Sequence, residues 1–96
     1  MDEYAQQIER GLESARTWLA QTFPGTVIKR DAELERSPLE ERIELQLRRG
    51  SEVVHVVRFR RDFLADHQDD MGGWLLDKGL KRRLEQAGAN PVIVPF

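Results

Sequence analysis

Residues 42–63 read RIELQLRRGSEVVHVVRFRRDF, and the assignment of this stretch decides how the rest of the chain is read. Ile43, Leu45 and Leu47 alternate with polar residues, Gly50-Ser51 follows, and Val53, Val54, Val56, Val57, Phe59 and Phe63 complete the run. Apolar alternation interrupted by a glycine-containing turn is the pattern of a β-hairpin. Residues 53–57 are apolar on both faces, as in a central strand covered on both sides. Just upstream, Ser37-Pro38-Leu39-Glu40 has the form of a capping box with proline at the first helical position. Leu39, Ile43 and Leu47 also fit helical spacing. Strand is the better reading of residues 38–49, because a helix leaves Leu45 off its stripe and the valine-rich strand needs a neighbour. The capping box then forms one short turn.

The turn admits two registers. A two-residue Gly50-Ser51 loop of type II′ sets Val54 and Val56 beside Leu45 and Leu47, whereas a three-residue Arg48-Arg49-Gly50 loop sets Val53, Val57 and Phe59 there. One residue of slip turns every side chain to the other face. With both faces apolar, the sequence does not choose between them.

The flanking segments supply cover for this ribbon. Ile8, Leu12, Ala15, Leu19 and Phe23 recur at intervals of three and four, so residues 2–23 read as an amphipathic helix with Tyr4 and Ala5 extending the stripe and Trp18 flanking it. Gly11 weakens that helix by roughly 1 kcal/mol relative to alanine, unless something packs closely against it. Pro24-Gly25 ends it. Residues 26–34 suggest a charged edge strand, with Ile28, Ala32 and Leu34 on one face. Asp66–Asp70 is a polar loop whose last acids can cap a second helix, residues 71–87, with a buried stripe of Leu76, Leu80, Leu84 and Ala87 and Gly88 as its C-cap. Gly72, Gly73 and Gly79 make it dependent on tertiary support. Val92-Ile93-Val94, set between two prolines, reads as a short edge strand. The order α-β-β-β-α-β, mostly antiparallel with two helices on one face, describes an α+β two-layer sandwich.

Composition narrows the function classes. The 96 residues suit one domain, and 40% apolar content supplies one core. The formal net charge of −2 argues against a dedicated nucleic-acid module, which is usually clearly basic. The absence of cysteine removes disulfides, thiolate metal sites and cysteine nucleophiles, and fits a reducing compartment. Asp2 and Glu3 stand where a secretion signal needs basic residues, no long apolar run follows, and the expected location is cytoplasmic, with no membrane partner.

No phosphate loop, nucleophile elbow or HExxH motif is present, so neither catalysis nor a bound cofactor is expected. His67 and Asp69, in the Asp66–Asp70 run, are possible divalent-cation ligands, but a solvated loop with a helix cap is the simpler reading. His55 in the valine-rich strand is expected to be half-buried and satisfied by one neighbour rather than a general base. Two function classes remain. One is a small non-catalytic interaction or regulatory module, contacting another protein or a second copy of itself through Trp18, Val53, Val57, Trp74, Val92, Ile93 and Val94. The other is RNA or DNA binding by Trp74, Lys78, Lys81 and Arg82 on one face of the second helix, where a ring could stack on a base and cations meet phosphate. Asp77 and Glu85 dilute that basic face, which favours the first class.

Overall fold

A computed structural model of the chain describes residues 2–30 and 42–96. Helix α1 spans Glu3–Thr22. Asp2 caps it, its Oδ1 accepting the Tyr4 N–H at 3.0 Å. At the other end the Phe23 N–H donates to the Leu19 carbonyl at 2.8 Å, and Gly25 takes a positive φ of 83° as the chain turns away. Ile8, Leu12, Ala15, Leu19 and Phe23 form the buried stripe, as their spacing requires, while Tyr4 stays exposed beyond its end.

Strands β1 (Val27–Arg30), β2 (Arg42–Arg49), β3 (Glu52–Arg60) and β4 (Pro91–Val94) lie in the spatial order β1-β2-β3-β4. Residues 42–49 are therefore strand. The capping box and the proposed strand positions Ala32 and Leu34 lie outside the described residues. The β1/β2 and β2/β3 pairs are antiparallel and β3/β4 is parallel, so the sheet is mixed. A parallel return needs a long crossover, and residues 61–90 provide it as three helices, α2 (Arg61–Asp66), α3 (Met71–Asp77) and α4 (Leu80–Ala87). Both expected edge strands, β1 and β4, are at the edges among the described residues.

The hairpin combines the two registers. Arg49 faces Glu52 across a two-residue Gly50-Ser51 turn, with Gly50 at φ 65°. Arg48 pairs with Val53, but Leu47 pairs with His55, so Val54 is an extra residue in a β-bulge. Beyond the bulge Leu45 meets Val57 and Ile43 meets Phe59. The turn is that of the first register and the core face that of the second. Val57 and Phe59 are fully buried under the helices, whereas Val56, expected beside Leu45 and Leu47, points to the opposite face with Arg58.

That opposite face carries a polar ladder. Arg58 Nε donates to Glu44 Oε1 at 2.9 Å, Gln46 Nε2 donates to Glu44 Oε2 at 2.9 Å, and Arg48 donates through Nη2 to Gln46 Oε1 at 2.8 Å. Glu44 is only 4% exposed, and both its carboxylate oxygens are satisfied within this ladder.

The second helix departs most from expectation. It breaks at Lys78-Gly79, where Gly79 takes a left-handed φ of 71° and its N–H reaches back to the Leu76 carbonyl at 3.2 Å. The break rotates α3 relative to α4. Met71 and Leu75 are buried in α3, and Leu76, expected in the core, is 69% exposed. Leu80 and Leu84 are buried in α4 and Gly88 ends it, as expected. The short helix α2 also replaces what reads as strand and loop. Its Phe63, Leu64 and Ala65 are all buried.

Gly11 is buried where α1 crosses α2, and a Cβ there would overlap the Leu64 backbone carbonyl. Gly73 on α3 has nothing within 4 Å. We therefore expect opposite signs for one chemical change. Gly11→Ala should lower stability, because overpacking typically costs about 1–3 kcal/mol and exceeds the propensity gain. Gly73→Ala should raise it by up to about 1 kcal/mol. Denaturant melts at low micromolar protein measure both, and a stabilised Gly11→Ala would refute the close crossing.

The same melts test the helix break. Leu75→Ala should cost about 2–5 kcal/mol as a core truncation. Leu76→Ala should stay within about 0.5 kcal/mol as a surface change. Equal losses would favour an unbroken helix.

Candidate functional site

Two surface features are built by the three-helix crossover. The first is the outer face of α3. Gly72, Gly73 and Leu76 lie three and four positions apart and so share one side of the helix. Leu76 projects from it, while the two glycines leave a recess one turn earlier. The ring of Trp18 lies beside it, with Cδ1 at 3.6 Å from where a Gly72 Cβ would stand. Trp18 and Gly72 also line a groove of about 510 Å³ between α1 and the start of α3. Gln68 bridges the groove, accepting from Arg10 Nη1 through Oε1 at 3.2 Å and from Ser14 Oγ through its carbonyl at 3.4 Å.

The second feature is a row of rings. Phe63 stacks toward Phe59 at 6.3 Å, meets Trp74 edge-on at 4.7 Å and lies 4.7 Å from the His67 ring. Trp74 continues the row to Phe96 at 5.7 Å, and the Arg83 guanidinium carbon sits 3.9 Å over the Phe96 ring. A pocket of about 180 Å³ opens at the Phe63 end, lined by Phe63, His67, Trp74 and Pro95 with Arg60, Asp62 and Asp66 at its rim. Arg60 Nη2 donates to Asp62 Oδ2 at 2.9 Å, and His67 Nδ1 donates to Asp70 Oδ1 at 2.9 Å.

The residues expected to form a partner surface separate. Val57 and Val94 are fully buried in the core beneath the helices and cannot meet a partner. Val92 packs partly against the same core because it pairs with Val57. Trp18 and Trp74 are half-buried against the core. Val53 is half-buried beside the turn, and Ile93 faces outward on β4. The pattern that proposed a doubly apolar strand is explained by the bulge, which sends Val57 inward and Val56 to the polar ladder.

The expected nucleic-acid face is also divided. Trp74 lies on α3, Lys78 is that helix's C-cap, and Lys81 and Arg82 lie on α4 beyond the Gly79 break. All three cations are exposed, but Phe63, His67 and Phe96 crowd the Trp74 ring. His55 is half-buried, and its Nδ1 donates to the Gly88 carbonyl at 3.2 Å while its ring lies 4.8 Å from Phe23. Asp70 pairs with His67 instead of using its side chain to cap α3, and Asp69 is exposed. Among the described residues, no group of three or more His, Asp or Glu side chains could hold a metal ion. Among them, too, no helix is long and apolar enough to cross a membrane.

Leu76 and the glycine recess were missed by sequence reasoning, although Asp77-Lys78-Gly79 carries the signal: a lysine followed by glycine is a common helix end. Compared with known protein families, with curated proteins and with solved structures, the chain matches none.

Proposed function

We propose that this protein is a small non-catalytic interaction module that works by self-association through the outer face of α3. The observation that carries this reading is Leu76, a large apolar side chain 69% exposed near the end of a helix whose neighbouring Leu75 is buried. Its placement supports a particular geometry. A two-fold interface sets the same patch against itself, so residue i on one copy meets residue j on the other and the reverse. A projecting Leu76 and a recess at Gly72-Gly73 on one helix face are complementary under that operation. Two antiparallel α3 helices then seat each leucine in the other's recess, with Trp18 at the margin.

The β4 edge offers less for strand addition, because Pro91 and Pro95 bracket it without backbone N–H groups. Nucleic-acid binding has less support, because a stacking platform needs a free ring face and three rings surround Trp74.

Sedimentation equilibrium from low micromolar to several hundred micromolar protein tests the proposal. The wild type should show a monomer–dimer equilibrium, and Leu76→Glu should be monomeric with an unchanged melting temperature at low concentration. Gly73→Ala should weaken association while stabilising the monomer, since it fills the recess and improves the helix together. A wild type that stays monomeric throughout, or a Leu76→Glu dimer of equal strength, would sink the reading. A low-salt gel shift with single- and double-stranded probes addresses the nucleic-acid alternative, for which no retardation is expected at tens of micromolar protein.

A further inference from the structure

Among the described residues, the helices pack on one face of the sheet, where they share a core with Ile43, Leu45, Leu47, Val57, Phe59 and Val94. Side chains alternate across a strand, so Arg42, Glu44, Gln46 and Arg48 of β2 take the opposite, outer face. The register sets Arg60 opposite Arg42, Arg58 opposite Glu44, and Lys29 opposite Gln46. Five cations therefore share this face in a chain whose formal net charge is −2. Solvent reaches them: Lys29 and Arg60 are exposed, and Arg42, Arg48 and Arg58 are half-buried.

The acids described near this face are already committed. Both carboxylate oxygens of Glu44 are held by Arg58 and Gln46. Asp62, at the start of α2, pairs with Arg60 at 2.9 Å. Lys29, Arg42 and Arg48 have no carboxylate partner among the described residues, and Arg48 donates only to Gln46. Arg42 and Arg60 are also directly opposite one another, and like charges in that position destabilise a sheet. The face thus holds positive charge that folding does not use.

Charge, spacing and side-chain type narrow the partner. Two such faces repel, so a second copy of this face is a poor match. None of the outward positions of the four strands is aromatic, so there is no platform on which nucleic-acid bases stack. Arginine forks match carboxylates, and exposed Val27 and Ile93 at the two edges offer aliphatic contact. Alternate residues of a strand are about 7 Å apart. An extended peptide with acids at alternate positions repeats at that same interval.

We infer that the outer face of the sheet docks an extended acidic peptide segment of another protein, its carboxylates meeting Lys29, Arg42 and Arg48. This face lies on the side of the sheet away from α3, so the inference does not rest on self-association.

The test is a fluorescence-anisotropy titration of a labelled alternating Glu-Thr peptide of about ten residues, enough to span the roughly 20 Å between Arg42 and Arg48. A Gln-Thr peptide is the neutral isostere, and an oligothymidylate of equal length is the nucleic-acid probe. The Glu-Thr peptide should bind saturably with a Kd on the order of 100 µM at low salt. Affinity should fall at least about tenfold between about 0.05 and 0.5 M sodium chloride, because exposed charges are screened. The Lys29→Gln/Arg42→Gln double variant should bind at least about threefold more weakly, the loss of two exposed charge contacts. Its melting temperature should not fall, since Arg42 faces Arg60. Lys29→Gln alone, at an exposed edge position, should weaken binding with no change in the melt. Lys81→Gln/Arg82→Gln removes the same charge from α4 and should leave binding unchanged. No saturable binding, equal binding of the Gln-Thr peptide, tighter binding of the oligothymidylate, or an equal loss in the α4 control would each overturn the assignment.

Discussion

The structure depends on one backbone-to-backbone contact. Gly11 of α1 lies against the Leu64 carbonyl of α2 with no room for a side chain between them. Because the two helices meet this closely, α2 can stay short and still bury Phe63, Leu64 and Ala65. That burial turns the chain sharply out of β3 and starts the crossover over one face of the sheet. The helices that follow inherit their positions from it. Without the glycine, α1 would stand off from α2, and the Ile8, Leu12 and Ala15 stripe would lose the surface it covers.

A second constraint operates inside the sheet. The Gly50-Ser51 turn requires Arg49 opposite Glu52, and the core requires Val57 and Phe59 beside Leu45 and Ile43. These demands differ by one residue. The bulge at Val54 reconciles them. It also brings Arg58 and Glu44 onto the same outer face as partners, and turns His55 toward Phe23 and the Gly88 carbonyl. The buried acid, the half-buried histidine and the two-sided valine run thus share one cause.

Both surface features arise from the same crossover. Its helices are too short to bury every apolar side chain they carry. Gly79 stops α3 after seven residues, so the helix can point Leu75 inward or Leu76 inward but not both. Leu75 takes the core, and Leu76 is left beside the glycines. Elsewhere on the crossover, Phe63 and Trp74 line up with Phe96 as a row of rings.

The sequence by itself determined the α+β class, the amphipathic stripe of α1, the hairpin, the edge placement of β1 and β4, and the Gly88 helix end. Each of these rests on a local pattern, such as a 3.6- or 2-residue period or a glycine at a chain reversal, that a few neighbouring residues specify. It also posed the right question about Gly11, whose weakness as a helix former is intelligible only if something packs against it. Tertiary structure alone decided the rest. The bulge register, the α2 turn in place of strand and loop, and the parallel seating of β4 depend on which apolar residues compete for one buried face. So do the exposure of Leu76 and the burial of Val57 and Val94 in place of a free surface. Val54, Val56 and Val57 are locally equivalent, as are Leu75 and Leu76. Only the packing of α1 and of the sequence-distant helices α2, α3 and α4 onto the sheet, with roughly 0.8 kcal/mol at stake for each methylene buried, breaks those ties.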